Sequence, residues 1–261
     1  MRSLSIAATG MLAQQLNVEV ISNNIANMNT TGFKRQRAEF QDLLYQSQRR
    51  VGSTSSDSGT IVPAGVQIGL GVKTASVYTI NEQGNLQSTE NPLDLAISGG
   101  GYFQISLPTG ETAYTRAGSF QLSPTGQLVS VDGYTVDPAI TIPANAIQIT
   151  VNSSGQVLAQ IAGQVAEQNV GQLTLANFPN PAGLSPVGDN LFLETPASGT
   201  ATAGNPGVTG LGTLLQGFLE TSNVNTVSEI TNLITAQRAY EMNSKVIQTS
   251  DEMLSTINRL R

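Results

Sequence analysis

The sequence contains no cysteine, no histidine and no tryptophan. Without cysteine, neither a disulfide framework nor a thiolate metal site can form. Without histidine, the Ser-His-Asp and Cys-His catalytic arrangements are excluded, together with most zinc and iron sites. We therefore expect no metal and no cofactor, and we look for a function that needs neither.

Charge is also scarce. Charged residues make up 11% of the chain, less than half of the usual share of about 25%. The net charge is −6 and the pI is about 4.6, so the overall field would repel nucleic acid and anionic membranes. A surface rich in uncharged polar residues is what we expect when much of it contacts other protein. It indicates a protein partner and no nucleic acid.

Long apolar runs are missing as well. No stretch approaches the roughly 20 apolar residues that span a bilayer. Residues 4–13 resemble the apolar centre of a secretory signal only faintly, because Ser5, Thr9 and Gly10 interrupt them. We expect no direct insertion into a membrane, and export, if it occurs, by a route that needs no cleaved signal peptide.

The C-terminal residues 225–261 are typical of one long helix, since neither proline nor glycine follows Phe218. Apolar residues recur at helical spacing but cover too wide an arc for one narrow seam, so more than one neighbour must cover them. The candidate interface residues of this helix are Val227, Ile230, Leu233, Ile234, Tyr240, Ile247, Leu254 and Ile257.

A second helix is predicted at the N-terminus, where apolar residues are three and four apart, the spacing of a coiled-coil seam. Glu19 is the only charged residue between Ser3 and Phe33, which favours burial on several sides. A core helix of a globular domain would show the same pattern. Asn and Gly residues at 27–32 should end the helix. The candidate interface residues here are Leu4, Met11, Val18, Ile21, Ile25 and Met28.

Between the helices the pattern predicts an all-β domain. Residues 33–50 could form a short helix or an extended arm, and residues 47–65, rich in Ser, Thr and Gly, read as a connector that is flexible or ordered by a partner. From Val72 onward, short alternating strands follow one another, separated by turns such as Asp132-Gly133. The two terminal helices can pair only if the β domain returns its termini to the same side.

The predicted fold class is therefore α+β and mainly β, with a central all-β domain flanked by terminal helices that pair as a coiled-coil-like inner domain. The predicted boundaries are 1–32 with 222–261 for the helical domain, 33–70 for a connector with a polar stretch, and 71–221 for the β-rich outer domain.

No motif indicates an enzyme. The glycines at 99–101 precede a strand and lack the Gly-Lys-Ser/Thr ending of a phosphate loop. Four aspartates could supply a carboxylate pair for glycoside hydrolysis, but they lie at or beside turns, where Asp is common for backbone reasons. These are Asp94, Asp132, Asp137 and Asp189. Lys34, Arg35 and Arg37 form a small basic cluster that we interpret as an exposed loop.

Several long stretches resemble the bacterial flagellar rod and hook protein family. They include ISNNIANMNTTGFK at residues 21–34, LDLAISGGGYF at 93–103 with YTRAGSF at 114–120, and TSNVN at 221–225 with AQRAYEMNSK at 236–245. The resemblance runs from end to end. One departure is residues 28–32, where many relatives have Val and often Pro. The length favours a rod subunit over a hook protein, and residues 42–46 with the polar stretch resemble the segment of the distal rod.

The resemblance implies a structural subunit of the distal rod that polymerises into a hollow helical tube, with both helices in the inner layers. The implied tube transmits torque from motor to hook across the periplasm and provides the export channel. Implied partners are copies of the chain, proximal rod and hook subunits, the surrounding P- and L-ring proteins and the flagellar type III export apparatus. The alternatives are a proximal rod or hook-type subunit and, from another class, a periplasmic β-domain binding module or wall-modifying hydrolase.

Overall fold

The computed structural model describes residues 2–49, 64–164 and 166–259. Helices lie at the two ends of the chain and strands between them, which confirms the predicted α+β class. The chain forms two compact units. The first comprises the described residues of Met1–Ile25, Gln36–Tyr78 and Asn225–Arg261, and the second those of Ala26–Arg35 and Thr79–Val224. The described residues of 36–78 group with the helices in this division, and the predicted domain boundaries stay a prediction.

Both helices lie where the apolar periodicity predicts them. They are α1, Arg2–Ala26, and α2, Thr226–Arg259. α2 begins after Asn225, whose side-chain Oδ1 accepts a hydrogen bond from the backbone N–H of Ser228 at 3.1 Å. The turn after α1 includes Gly32 with φ +70°, a conformation that other residues adopt only with strain. Neither helix, within the described residues, is long and apolar enough to cross a membrane.

Among the described residues, four strands complete the first unit: β1 Gln36–Asp42, β2 Tyr45–Arg49, β3 Val66–Gly69 and β4 Val72–Thr79. β1 pairs with β4, and β2 pairs antiparallel with β3 so that Tyr45 lies opposite Gly69. Residues 33–49 are therefore extended and not helical. Of the predicted polar connector at 47–65, residues 50–63 lie outside the described residues.

The second unit is built from short strands, as the turn spacing predicts. The strands are β5 Leu86–Ser88, β6 Leu95–Ser98, β7 Tyr102–Ser106, β8 Thr112–Thr115, β9 Gln121–Leu122, β10 Leu128–Val129, β11 Thr135–Asp137, β12 Ala146–Val151, β13 Gln156–Ile161, β14 Gln168–Gln172, β15 Leu175–Asn177, β16 Ser185–Gly188, β17 Leu191–Leu193, β18 Thr202–Gly204, β19 Thr213–Gln216 and β20 Phe218–Glu220. A 3₁₀ turn spans Pro181–Gly183.

A nine-stranded sheet dominates this unit. Its main path runs β16-β17-β8-β7-β11-β10-β9, and β15 joins β7 to β18. A three-stranded sheet, β12-β13-β14, and the pairs β6-β19 and β5-β20 complete the unit. The largest core cluster includes Phe103 and Phe120, whose rings meet edge to face at 5.1 Å between centroids. This unit thus buries an apolar core of its own.

The chain segments that follow α1 and precede α2 meet inside the second unit. The backbone N–H of Gly32 donates to the carbonyl of Glu220 at 2.8 Å. Asn223 binds the same region, accepting from the backbone N–H of Arg35 at 2.7 Å. The β domain therefore returns both of its ends to one place, as a pairing of the terminal helices requires.

Candidate subunit interface

The two helices of the first unit pair in a single antiparallel register. The hydroxyls of Ser3 and Ser250 lie 3.3 Å apart, and Asn24 Nδ2 donates to Glu229 Oε2 at 3.2 Å. Between these ends, a Cβ added to Gly10 would lie 2.9 Å from Nδ2 of Asn243. From Ser3 to Asn24 on α1 and from Ser250 back to Glu229 on α2, the chain covers 21 residues in each helix. The helices therefore run antiparallel, side by side, over about six turns.

The polar seam, as we call the residues that join these helices, consists mostly of small or polar side chains. On α2 the series Glu229, Ala236, Asn243 and Ser250 repeats every seven residues, and three of its four members are buried. A seven-residue repeat keeps one face of a helix turned toward its partner. The predicted pairing of the helices is confirmed, and the contacts that fix its register come from small and polar residues that the apolar periodicity does not single out.

On α1 most of the predicted interface residues are half-buried. Ile21 is buried, and the half-buried ones are Leu4, Met11, Val18 and Ile25. Met28 lies just beyond the end of the helix and is exposed. Their role as contacts between subunits stays a prediction.

On α2 most of the predicted interface residues face solvent. The half-buried ones are Leu233, Ile247 and Leu254, and the exposed ones are Val227, Ile230, Ile234, Tyr240 and Ile257. The exposed fractions run from 43% for Tyr240 to 77% for Val227. At 3.6 residues per turn, Ile230 lies about 100° from the polar seam, Ile234 lies nearly opposite the seam, and Val246 and Met253 lie about 60° from it on the other side. The helix thus carries apolar surface on both flanks of the seam.

Asn24 is a junction that the sequence patterns do not reveal. Its Nδ2 donates to the carbonyl of Gln36 at 2.8 Å, and its Oδ1 accepts from the N–H of Gln36 at 2.8 Å. The same Nδ2 also reaches Glu229. One buried amide therefore joins α1, the start of β1 and the first turn of α2 within the first unit. The sequence offers one signal, namely that Ser3, Gly10 and Asn24 lie at multiples of seven residues from one another.

In the second unit, a buried ionic cluster holds the converging ends of the β domain. The side chain of Glu220 is completely buried and receives Arg116 Nε at 2.9 Å, Arg116 Nη2 at 2.8 Å and the N–H of Gly84 at 2.9 Å. Its other close partner is the ammonium of Lys34. Burial lowers the pKa of Lys34 despite the attraction of Glu220. The cluster fastens the segment after α1 to the segment before α2.

The interpretation of residues 34–37 as an exposed basic loop is wrong for Lys34, which is 4% exposed. Arg35 and Arg37 do lie nearer the surface and pair with Glu82 at 3.1 Å and Glu39 at 3.2 Å. A single lysine beside two arginines carries no local sign that it will be buried, because its partner Glu220 is 186 residues away.

The aspartates considered for hydrolysis are mostly scattered. Asp132 and Asp189 line one cavity of about 280 Å³, together with hydroxyl side chains. Asp189 has φ +52°, which fits a turn position. Asp94 accepts from Asn91 at 3.0 Å and is buried elsewhere. Within residues 2–49, 64–164 and 166–259, no cluster of three or more acidic side chains could hold a metal ion.

Paired terminal helices with apolar flanks, joined to a separately packed β domain, define a structural assembly subunit. Three family models match the chain. "Flagella basal body rod protein" matches residues 4–34, "Flagellar hook protein FlgE/F/G D1 domain" matches residues 96–159, and "Flagellar basal body rod FlgEFG protein C-terminal" matches residues 215–260. These matches cover α1, the central strands and α2 in turn.

Relatives that match along the whole chain are named flagellar basal-body rod protein FlgG. The flagellar basal-body rod protein FlgG of Caulobacter vibrioides is 64% identical over 261 residues, covering 100% of both chains. Its counterpart in Agrobacterium fabrum is 57% identical over 259 residues, covering 99% of both. That of Bacillus subtilis is 43% identical over 266 residues, covering 100% of this chain and 99% of the relative.

The chain belongs to the FlgG family of flagellar basal-body rod proteins. This confirms the resemblance found in the sequence and the prediction of a structural subunit of the distal rod.

Proposed function

We propose that this distal rod subunit polymerises through its helix pair into a hollow helical tube, with α1 and α2 in the inner layers around an export channel. The tube transmits torque from the motor to the hook across the periplasm. It carries out no catalysis. The observation that supports this proposal most directly is the exposed apolar surface of α2 outside the seam, at Ile230, Ile234, Val246 and Met253.

The faces of α2 make different contacts, and this difference explains why polymerisation is favourable. The polar and small seam is used within one chain, so the apolar flanks remain for other chains. Apolar surface removed from water stabilises an assembly by about 25 cal/mol per Å². Contacts of this kind that do not close on themselves generate an open filament instead of a ring. The interface residues predicted on both helices are the ones we propose to lie between subunits.

Other partners follow from the place of a distal rod subunit. We propose contacts with proximal rod and hook subunits at the two ends of the segment and with the P- and L-ring proteins around it. Delivery is proposed through the flagellar type III export apparatus, without a cleaved signal peptide. The chain's low share of charged residues, 11%, supports extensive contact with protein. We further propose that the stretch at 47–65, of which residues 50–63 lie outside the described residues, lies between subunits and stiffens the rod.

A charge placed on the apolar flank tests the proposal. Ile234→Asp should raise the concentration needed for tube formation at least about tenfold, because burying one carboxylate in an apolar contact costs more than about 1.4 kcal/mol. Sedimentation and electron microscopy of the purified protein measure this. Ile234→Leu keeps the apolar surface, and Thr235→Asp adds the same charge at the neighbouring exposed position.

We expect Ile234→Leu to assemble like the parent chain and Thr235→Asp to assemble far better than Ile234→Asp. The proposal is refuted if the parent chain stays monomeric even at high concentration, or if Ile234→Asp forms normal tubes.

A further inference from the structure

A cavity of about 310 Å³ opens beside the buried ionic cluster of the second unit. It is lined by Lys34 and Arg116, by the neutral polar side chains of Asn81 and Tyr102, and by the glycine turn at residues 99–101. Lys34 and Arg116 are 4% and 5% exposed, so both cations are held in place by the fold. Within the second unit, the wall of this cavity therefore holds two cations that the fold fixes in place.

The charges around this cavity do not balance. Two cations, Lys34 and Arg116, share one carboxylate, that of Glu220. The polar residues of the cavity lining besides the two cations carry no charge, and Glu82, which contributes its backbone carbonyl to Lys34, directs its carboxylate to Arg35 instead. Burying an unbalanced charge is costly unless a counter-ion compensates it. Among the described residues, one positive charge therefore has no counter-charge.

The N–H donors of Lys34 and Arg116 are also not all used by the protein. An ammonium has three N–H donors and a guanidinium has five. Among the described residues, Lys34 donates to Glu220 and to the carbonyl of Glu82 at 2.7 Å, which leaves one N–H. Arg116 donates from Nε to Glu220, pairs through Nη2 with the same carboxylate, and donates from Nη1 to the carbonyls of Gly99 at 2.9 Å and Gly101 at 2.6 Å, which leaves one N–H on Nη2.

We propose that this cavity binds a carboxylate group. One surplus positive charge and two spare N–H donors match a monovalent anion with two oxygen atoms, and such charge-assisted hydrogen bonds are the stronger kind. The carboxylate could come from a small free acid or from an acidic side chain of a second copy of the chain in the tube. The second source rests on the proposed function; the binding of a carboxylate does not.

Titration of the dilute full-length chain with sodium acetate, at constant ionic strength against sodium chloride, tests the site. Nuclear magnetic resonance follows the amide signals of Gly100 and Gly101 and the side-chain Nε–H of Arg116. The parent chain should show saturable shifts with a Kd in the millimolar range. Asn81→Asp supplies a built-in carboxylate and keeps an acceptor for the Tyr102 hydroxyl, which donates to Asn81 at 3.3 Å.

Asn81→Asp should therefore weaken acetate binding about tenfold or more. Asn145→Asp adds the same charge at an exposed position outside the cavity and should bind acetate like the parent chain. An absence of saturable shifts in the parent chain overturns the proposal. Equal weakening by Asn81→Asp and Asn145→Asp also overturns it, because the response would then follow net charge alone.

Tube formation distinguishes the two sources of the carboxylate. If a second copy supplies it, acetate and Asn81→Asp both reduce assembly, whereas Asn145→Asp does not. If acetate binds the dilute chain but leaves assembly unchanged, the cavity holds a free carboxylate. A parent chain that binds acetate yet never forms tubes in chloride contradicts the proposed polymer and supports the site.

Discussion

Glu220 shows how much of the second unit depends on one side chain. Its carboxylate lies in a completely buried position at the end of β20 and receives hydrogen bonds from Lys34, Arg116 and Gly84. These groups come from three separate parts of the chain. Among the described residues of the cluster, only Glu220 carries a negative charge that offsets the two cations. Its loss would leave both Lys34 and Arg116 without a counter-charge.

Replacing Glu220 by glutamine should destabilise the protein by about 3–5 kcal/mol, because removing one partner leaves the buried cations uncompensated. Urea unfolding followed by circular dichroism measures this change. The matched control is Glu82→Gln, whose carboxylate is 67% exposed and pairs with Arg35. An exposed pair of this kind contributes less than about 1 kcal/mol. Equal losses in the two variants would contradict a structural role for the cluster.

Lys34 should leave a signature in the pH dependence of stability. Burial lowers its pKa below the ordinary value of 10.5. Between that lowered pKa and 10.5, the unfolded chain binds a proton that the folded chain has released. Stability therefore rises with pH across this window. Burial raises the pKa of Tyr102 above 10.0, so the unfolded tyrosine ionises first and stability falls again above that pH.

We expect Lys34→Met to lose the rise in unfolding free energy that the parent chain shows as pH approaches 10. Unfolding in urea at a series of alkaline pH values measures it. Lys73→Met removes a lysine from the exposed part of β4 and controls for the loss of one positive charge. A parent chain with a flat profile in this range would show that the ammonium of Lys34 is not penalised by burial.

At the scale of elements, the helix pair separates two kinds of contact. The seam between α1 and α2 consists of small and polar residues such as Ser3, Gly10 and Asn24. The hydrogen bonds of the seam fix the antiparallel register of the helices. Because the seam buries little apolar surface, it contributes more to this register than to stability. The apolar residues on its flanks are left for neighbours. This arrangement suits helices that must associate with several chains at once.

The register can be tested with a disulfide. The chain has no cysteine, so Ser3→Cys combined with Ser250→Cys introduces a single possible bridge where the two hydroxyls lie 3.3 Å apart. Mild oxidation of assembled tubes should link each chain to itself, giving a fast-migrating monomer band on a non-reducing gel. Ser3→Cys with Ser255→Cys, which lies outside the register, should link far less.

A ladder of dimers and larger species from the first pair would show that α1 contacts the α2 of a neighbouring chain instead. That result would overturn the pairing within one chain while leaving polymerisation intact.

At the scale of the whole molecule, the two units differ in what they can bury. The second unit encloses a core that includes Phe103, Phe120 and Leu175. The first unit leaves large apolar residues of α2 exposed, Val227 and Met253 among them. A polymer subunit with this composition should order its helices fully only when neighbours cover them.

Hydrogen exchange should display this difference. In the dilute monomer we expect strong protection of the β7 and β8 amides and weak protection across residues 4–28 and 226–259, whereas the tube should protect all of them. Mass spectrometry of the exchanged protein measures both states. Strong protection of residues 4–28 in the monomer would show that one chain alone can bury its helices.

The sequence by itself determined the two terminal helices and the succession of short strands between them, but it left residues 33–50 open between a short helix and an extended arm. The apolar spacing predicts α1 and α2, and turns such as Asp132-Gly133 separate the strands, because these signals lie within a few neighbouring residues. The missing histidine and cysteine excluded whole classes of chemistry. Long motifs also carried the family resemblance. The periodicity of α2 was sufficient to indicate several neighbours.

Only the tertiary structure decided which distant residues meet. Asn24 and Glu229 are 205 residues apart, and Lys34 and Glu220 are 186 apart. Nothing near Lys34 distinguishes it from exposed Arg37, and nothing in the heptads shows that Gly10 and Ser3 contact α2 while Ile234 stays exposed. Helix and strand preferences are properties of local sequence, whereas the burial of a charge or the choice of a helix face depends on what the folded chain brings opposite to it.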